Sequence, residues 1–210
     1  SLTAFTGNRG LCGGFNSGVL RLLRQRRDEL VAAGTEVSLW ITGKKGLAFA
    51  RYGKLAVARS VVSPEDKTRW EDVAPLAVEL RDAFLARRTD RVEIIVNRFT
   101  STTSQKPVNE LLFPLALGKE LSEGGGYFWD PAAAELREEV LCRVGQHRLY
   151  RIFLESGAVE QVARRVAMKN ATDSAEDMIK TLTRSYNRAR QSQITQEMSE
   201  LVGGAEGRKA

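Results

Sequence analysis

The chain has 210 residues and a net charge of +6, with hydrophobic residues at 42% and charged residues at 28%. That length holds one ordinary domain with an extension, or two small domains, and the composition is that of a folded globular chain rather than a disordered one. No apolar run approaches the ~20 residues of a membrane-spanning helix, and Cys12 and Cys142 are too far apart to suggest a zinc site or a disulfide framework, so reduced conditions fit best.

The first segment, "LTAFT" (residues 2–6), reads as a strand and leads into a glycine-rich stretch, "GNRGLCGGFN" (7–16). Asn16 is predicted to cap a helix that begins at Ser17 and buries Val19, Leu20, Leu22 and Leu23. That helix carries "RLLRQRR", with Arg21, Arg24, Arg26 and Arg27 followed by Asp28 and Glu29. The arginines form either a solvated face or a nucleic-acid stripe, and no aromatic residues interleave with them to stack bases.

"EVSLWIT" (36–42) alternates like a half-buried strand, and "TGKKG" closes it with a turn. Residues 47–62 read as short strand-like pieces broken by Gly53. From Glu65 to about Arg88 the period becomes helical, with Trp70, Val73, Leu76, Leu80, Phe84 and Leu85 on one side. "RVEIIVNRFTS" (91–101) is the most strand-like stretch. The extended segment after it, to Leu115, suits a hairpin partner because Pro107 and Pro114 would not fit a central strand. "LSEGGGYFWDP" (121–131) reads as a loop whose Pro131 opens the helix "AAAELREEVLCRV". The alternation implies an α/β fold with a Rossmann-like, mainly parallel sheet over residues 1–155.

The character changes near Ser156, so residues 156–210 are expected to form a separate long helix and tail. From Val159 to Val202 there is neither proline nor glycine, which predicts a helix roughly 65 Å long, ended by Gly203 and Gly204. Ala171, Ala175, Met178, Leu182, Ser185, Ala189, Ser192 and Gln196 recur in steps of four and three, the spacing of a coiled-coil seam.

The glycine loop invites comparison with phosphate sites. A phosphate-binding loop of the G-x-x-x-x-G-K-[ST] type needs a Lys and a hydroxyl that do not follow Gly7 here, and Gly7, Gly10, Gly13 and Gly14 do not have dinucleotide spacing. Two readings remain from the residues: an anion site at a helix N-terminus, as in a nucleotide-using enzyme, or a tight strand-to-helix crossing. His147 is the only histidine, and its position beside a helix end favours a structural role.

"GNRGLCGGFN" closely resembles the glycine-loop signature of the gamma subunit of F-type ATP synthases. "RRVAMKNATDSAEDMI" (164–179) and "YNRARQSQITQEMSELVGGAEG" (186–207) resemble that family's C-terminal helix. "YFWDP" and "LYRIFLESGAVEQ" fall in the family's order, so the resemblance spans essentially the whole chain.

The resemblance implies a non-catalytic rotor subunit. Its long helix joins an antiparallel coiled coil inside the alpha/beta ring, near an epsilon subunit and the membrane c-ring, with no cofactor, metal, nucleic acid or membrane span of its own. By correspondence, Arg190, Gln191, Thr195 and Glu197, with Arg164 lower on the helix, would touch a beta-subunit loop. Arg9, Gly10, Gly13, Gly14 and Asn16 would belong to a structural loop that binds no nucleotide. Against the family pattern, the chain starts at Ser1 without the N-terminal helix, which reads as a fragment. The implied location is peripheral, on the cytoplasmic face of a bacterial plasma membrane or, less readily, the matrix side of the mitochondrial inner membrane.

Overall fold

The computed structural model describes residues 1–61, 68–102, 104–115 and 133–206. Its elements in chain order are β1 (Leu2–Phe5), α1 (Phe15–Ala32), β2 (Leu39–Thr42), α2 (Lys44–Tyr52), β3 (Arg59–Val61), α3 (Trp70–Leu85), β4 (Val92–Phe99), β5 (Gln105–Phe113) and α4 (Ala133–Glu206). The predicted loop with Pro131 and "YFWDP" lies outside the described residues.

The strands form one sheet in the order β3-β2-β1-β4-β5. β3, β2, β1 and β4 run parallel, with Leu2 opposite both Leu39 and Glu93, and β5 returns antiparallel beside β4. Helices cover both faces, so β1 and β2 are buried along their whole length. This is why the expected alternation in "EVSLWIT" fails: Trp40 is buried like its neighbours, as a strand sandwiched between two helix layers requires. Pro107 sits in β5, an edge strand, where its missing N–H costs no ladder bond.

One face of the sheet packs α1 and α2 through Val19, Leu20, Leu23 and Ala50 against Leu2, Ala4, Ile41 and Ile95. The other packs α3 and the early part of α4 through Val73, Leu76, Leu80, Leu149, Ile152 and Phe153 against Phe5, Val92, Ile94 and Val96. Phe5 and Phe153 meet edge to face, with ring centroids 4.5 Å apart. His147 lies against Trp70, ring centroids 5.0 Å apart.

Three local expectations are corrected. α1 begins at Phe15, and Asn16 does not cap it: its side chain accepts the Gly7 N–H at 2.8 Å and donates to the Cys12 sulfur at 3.2 Å. Residues 44–52 form helix α2 rather than a turn followed by strand pieces, and among the described residues of the 47–62 segment only Arg59–Val61 is a strand. Gly43 allows the abrupt entry into α2, having φ +93° and a position where a Cβ would lie 2.0 Å from the Thr6 carbonyl oxygen. Lastly, α4 continues through Gly203 and Gly204 instead of ending there, because a helical glycine costs only about 1 kcal/mol.

By its contacts the chain divides into two compact units, Ser1–Ala167 and Met168–Ala210. The first holds the sheet and its core. In the second, every residue from Met168 to Gly204 is helical and exposed.

Candidate functional site

The glycine-rich loop joins β1 to α1 at the end of the sheet where α2 also begins. Thr6 ties the three together: its hydroxyl donates to the Thr42 carbonyl at 2.6 Å and accepts the Gly46 N–H at 2.9 Å. The Lys45 N–H donates to the Gly7 carbonyl at 3.2 Å and the Lys44 N–H to Asn8 Oδ1 at 3.1 Å. An anion at the start of α2 would need these amides, and the chain's own oxygens already hold them. The Gly7 amide is likewise taken by Asn16. These bonds tie the loop, β2 and α2 together as a tight strand-to-helix crossing.

Its far side rests on α4. Cys12 and Phe15 pack with Val159 and Ala163 in a small buried cluster, and Arg164 reaches the Gly10 carbonyl at 3.4 Å while pairing with Glu160 at 2.5 Å. Burial pushes the Cys12 thiol above its ordinary pKa, Glu160 pushes it further, and Arg164 opposes both. Arg9, Gly10, Gly13, Gly14 and Asn16 all fall within this loop or the first turn of α1, and Gly13 has φ +55°.

The basic stretch of α1 is not a uniform stripe. Arg26 grips the Glu93 carboxylate with two bonds of 2.8 Å and Glu29 with one of 3.1 Å, and Arg27 pairs with Asp28 at 3.1 Å. Arg21 and Arg24 are exposed. Glu93 is the charged group that sequence reasoning missed. It is 3% exposed in the middle of the sheet and is also bound by Arg91 at 2.7 Å and by the Asn109 amide. Hydrogen bonds from Arg26 lead the effects that hold its pKa down at about 2, against the opposing effect of burial. The signal was present as a carboxylate inside the otherwise apolar "VEIIV".

The remaining predicted residues lie on the exposed helix of the second unit. Arg190 and Glu197, seven apart, share one face; Gln191 and Thr195, four apart, share the neighbouring one. The Thr195 hydroxyl donates to the Gln191 carbonyl at 2.8 Å, and Glu197 accepts from Gln193 at 3.1 Å. Among the described residues, nothing in the chain engages the side chains of Arg190 or Gln191. Large apolar residues are exposed along the same unit, including Met178, Ile179, Leu182, Tyr186, Ile194 and Met198. The structure thus brings four of the five expected contact residues onto one short helical stretch and puts Arg164 elsewhere, under the glycine loop. The described residues include no cluster of metal-ligating side chains and no helix long and apolar enough to cross a membrane.

Comparison with known proteins agrees with this architecture. Residues 1–207 match a family described as ATP synthase. An ATP synthase gamma chain of Leptospira biflexa serovar Patoc is 42% identical over 209 residues, covering 98% of this chain and 72% of that one. One from Gemmatimonas aurantiaca is 39% identical over 208 residues with the same coverage. In fold, the chain is similar to a component of the Euglena gracilis mitochondrial ATP synthase OSCP/F1/c-ring structure, with TM-score 0.70 and 19% identity over 98% of this chain and 71% of that one. It is also similar to one in the Tetrahymena thermophila central stalk and c-ring structure, with TM-score 0.62 and 21% identity over 81% of this chain and 75% of that one.

Proposed function

We propose, from the premise that this chain belongs to the ATP synthase gamma-chain family, that it is the central-stalk rotor subunit coupling proton flow across a membrane to ATP synthesis. In this reading residues 1–155 form the base, near the epsilon subunit and c-ring, and residues 156–210 the shaft helix, which pairs in an antiparallel coiled coil inside the alpha/beta ring. Catalysis belongs to the beta subunits, and the chain itself needs no cofactor. Its place is peripheral, on the cytoplasmic face of the bacterial plasma membrane, as the Leptospira and Gemmatimonas relatives suggest.

The observation that carries the reading is the exposed helix from Met168 to Gly204, with apolar side chains open to solvent and the Arg190 and Gln191 heads unengaged. An isolated helix with so little burial is marginal, because most helical stability comes from packing an apolar face. Partners that cover it account for both features. Arg190 and Gln191 supply directed donors for a carboxylate-bearing loop, and Thr195 and Glu197 flank them.

The test is reconstitution with alpha, beta and epsilon subunits onto membrane vesicles that carry the c-ring sector, followed by ATP-driven proton pumping. Arg190→Ala and Gln191→Ala are expected to weaken pumping while leaving the α/β unit's melting unchanged. Failure of the chain to join the complex, or full pumping by both variants, overturns the reading.

A further inference from the structure

We infer that Arg164 is a positioning residue: with Glu160 it latches the glycine-rich loop onto α4 and so fixes where Leu11 stands, rather than touching a partner itself. The side chains of Arg164 and Glu160 are only 21% and 18% exposed. The guanidinium of Arg164 bonds Glu160 at 2.5 Å and Gln161 at 2.9 Å on its own helix, and it crosses to the loop at the Gly10 carbonyl, 3.4 Å away.

The loop is shaped to receive this pair. A Cβ at Gly7 would lie 2.6 Å from Glu160 Oε1 and 2.8 Å from Oε2, so a larger residue at position 7 would push that carboxylate out of its place beside Arg164. Beside the ion pair, Cys12 and Phe15 insert among Val159 and Ala163. Between Gly10 and Cys12 stands Leu11, 73% exposed and at φ +62°. A residue with a Cβ disfavours that left-handed conformation, which persists where the surroundings over-determine it. The latch on one side of Leu11 and the buried Cys12 on the other supply that constraint. Arg164 thereby governs an exposed apolar tip that it does not contact.

The test reads Cys12, which is buried by the latch, against Cys142, which is not part of it. Maleimide modification of both thiols is followed by mass spectrometry on the full chain. Arg164→Gln, Glu160→Gln and Gly7→Ala are each expected to speed Cys12 modification about tenfold, the effect of one charge-assisted bond on a local opening equilibrium, with Cys142 unchanged. Arg164→Lys keeps the ion pair but has no second arm for Gly10, and gives an intermediate rate. A purely electrostatic influence on the thiol would instead send Arg164→Gln and Glu160→Gln in opposite directions. Such opposition, an unchanged Cys12 rate, or an equal acceleration at Cys142 overturns the latch.

These thiol rates need no partner, so they stand apart from the rotor reading. A second arm rests on that reading: in the assembled complex, the pumping loss of Leu11→Ala with Arg164→Gln should not exceed that of the worse single variant. Additive losses would mean that Arg164 makes its own contact and would overturn the inference.

Discussion

Replacing Glu93 with Gln removes one charge from the middle of the sheet and leaves its shape. In the folded chain the carboxylate pKa is lowered from its ordinary 4.5 to about 2, chiefly by hydrogen bonds from Arg26. At ~1.4 kcal/mol per unit this is an upper bound of about 3 kcal/mol. Arg91 is 58% exposed and Arg26 27%, so both rehydrate in the variant, and about 2 kcal/mol is the expected loss at pH 7. Because the folded pKa is depressed, the contribution is complete above the unfolded value and fades as pH falls through the folded one. The gap between wild type and Glu93→Gln should hold from pH 7 to about 5, drop by about half near pH 3 and nearly close at pH 2. Urea titrations of both proteins across that range measure it. A gap under about 0.5 kcal/mol at neutral pH, or one that does not change with pH, refutes the assignment of Glu93 as a charged tie between α1, β4 and β5.

Other substitutions probe the loop junction and the helix. Thr6→Val removes both the bond to Thr42 and the one from Gly46, and should lower stability by about 2 kcal/mol in denaturant titration. Gly43→Ala forces a Cβ into the Thr6 carbonyl at positive φ; a loss of at least about 3 kcal/mol, or no soluble folded chain, is expected. Gly203→Ala meets nothing within 4 Å and should stabilise the end of α4 by about 0.5–1 kcal/mol, read as slower amide exchange around residues 196–204.

Much of the α/β order was legible because burial leaves periodic traces. The Val73, Leu76 and Leu80 spacing marked α3, and "RVEIIV" marked β4, while Pro107 signalled an edge. The expectation for Arg190 to Glu197 rested only on the resemblance to a family, since polar residues on an exposed helix have no distinguishing period. α2 was missed because its inward face is carried by Gly46 and Ala50, small residues whose role is close approach rather than hydrophobic mass. Glu93 stood out as a carboxylate in an apolar run, but its pairing with Arg26, and that of Glu160 with the space beside Gly7, were not readable because each partner lies on a different element. Only the fold brings them together.

The strand order has a consequence for how the chain matures during synthesis. β1 sits at the centre, beside β2, which follows it closely, and β4, which emerges some ninety residues later. The α1 and α2 side of the core is complete once Ile95 is made, but the opposite side waits for Leu149, Ile152 and Phe153. A nascent chain halted before residue 149 thus has one finished face and one apolar face open to water. Contacts this distant in sequence close slowly, and such surfaces are what holding chaperones bind. The helix whose later half is exposed is also, through its earlier half, the element that seals the sheet's second face, so the α/β unit is complete only once that helix is being made.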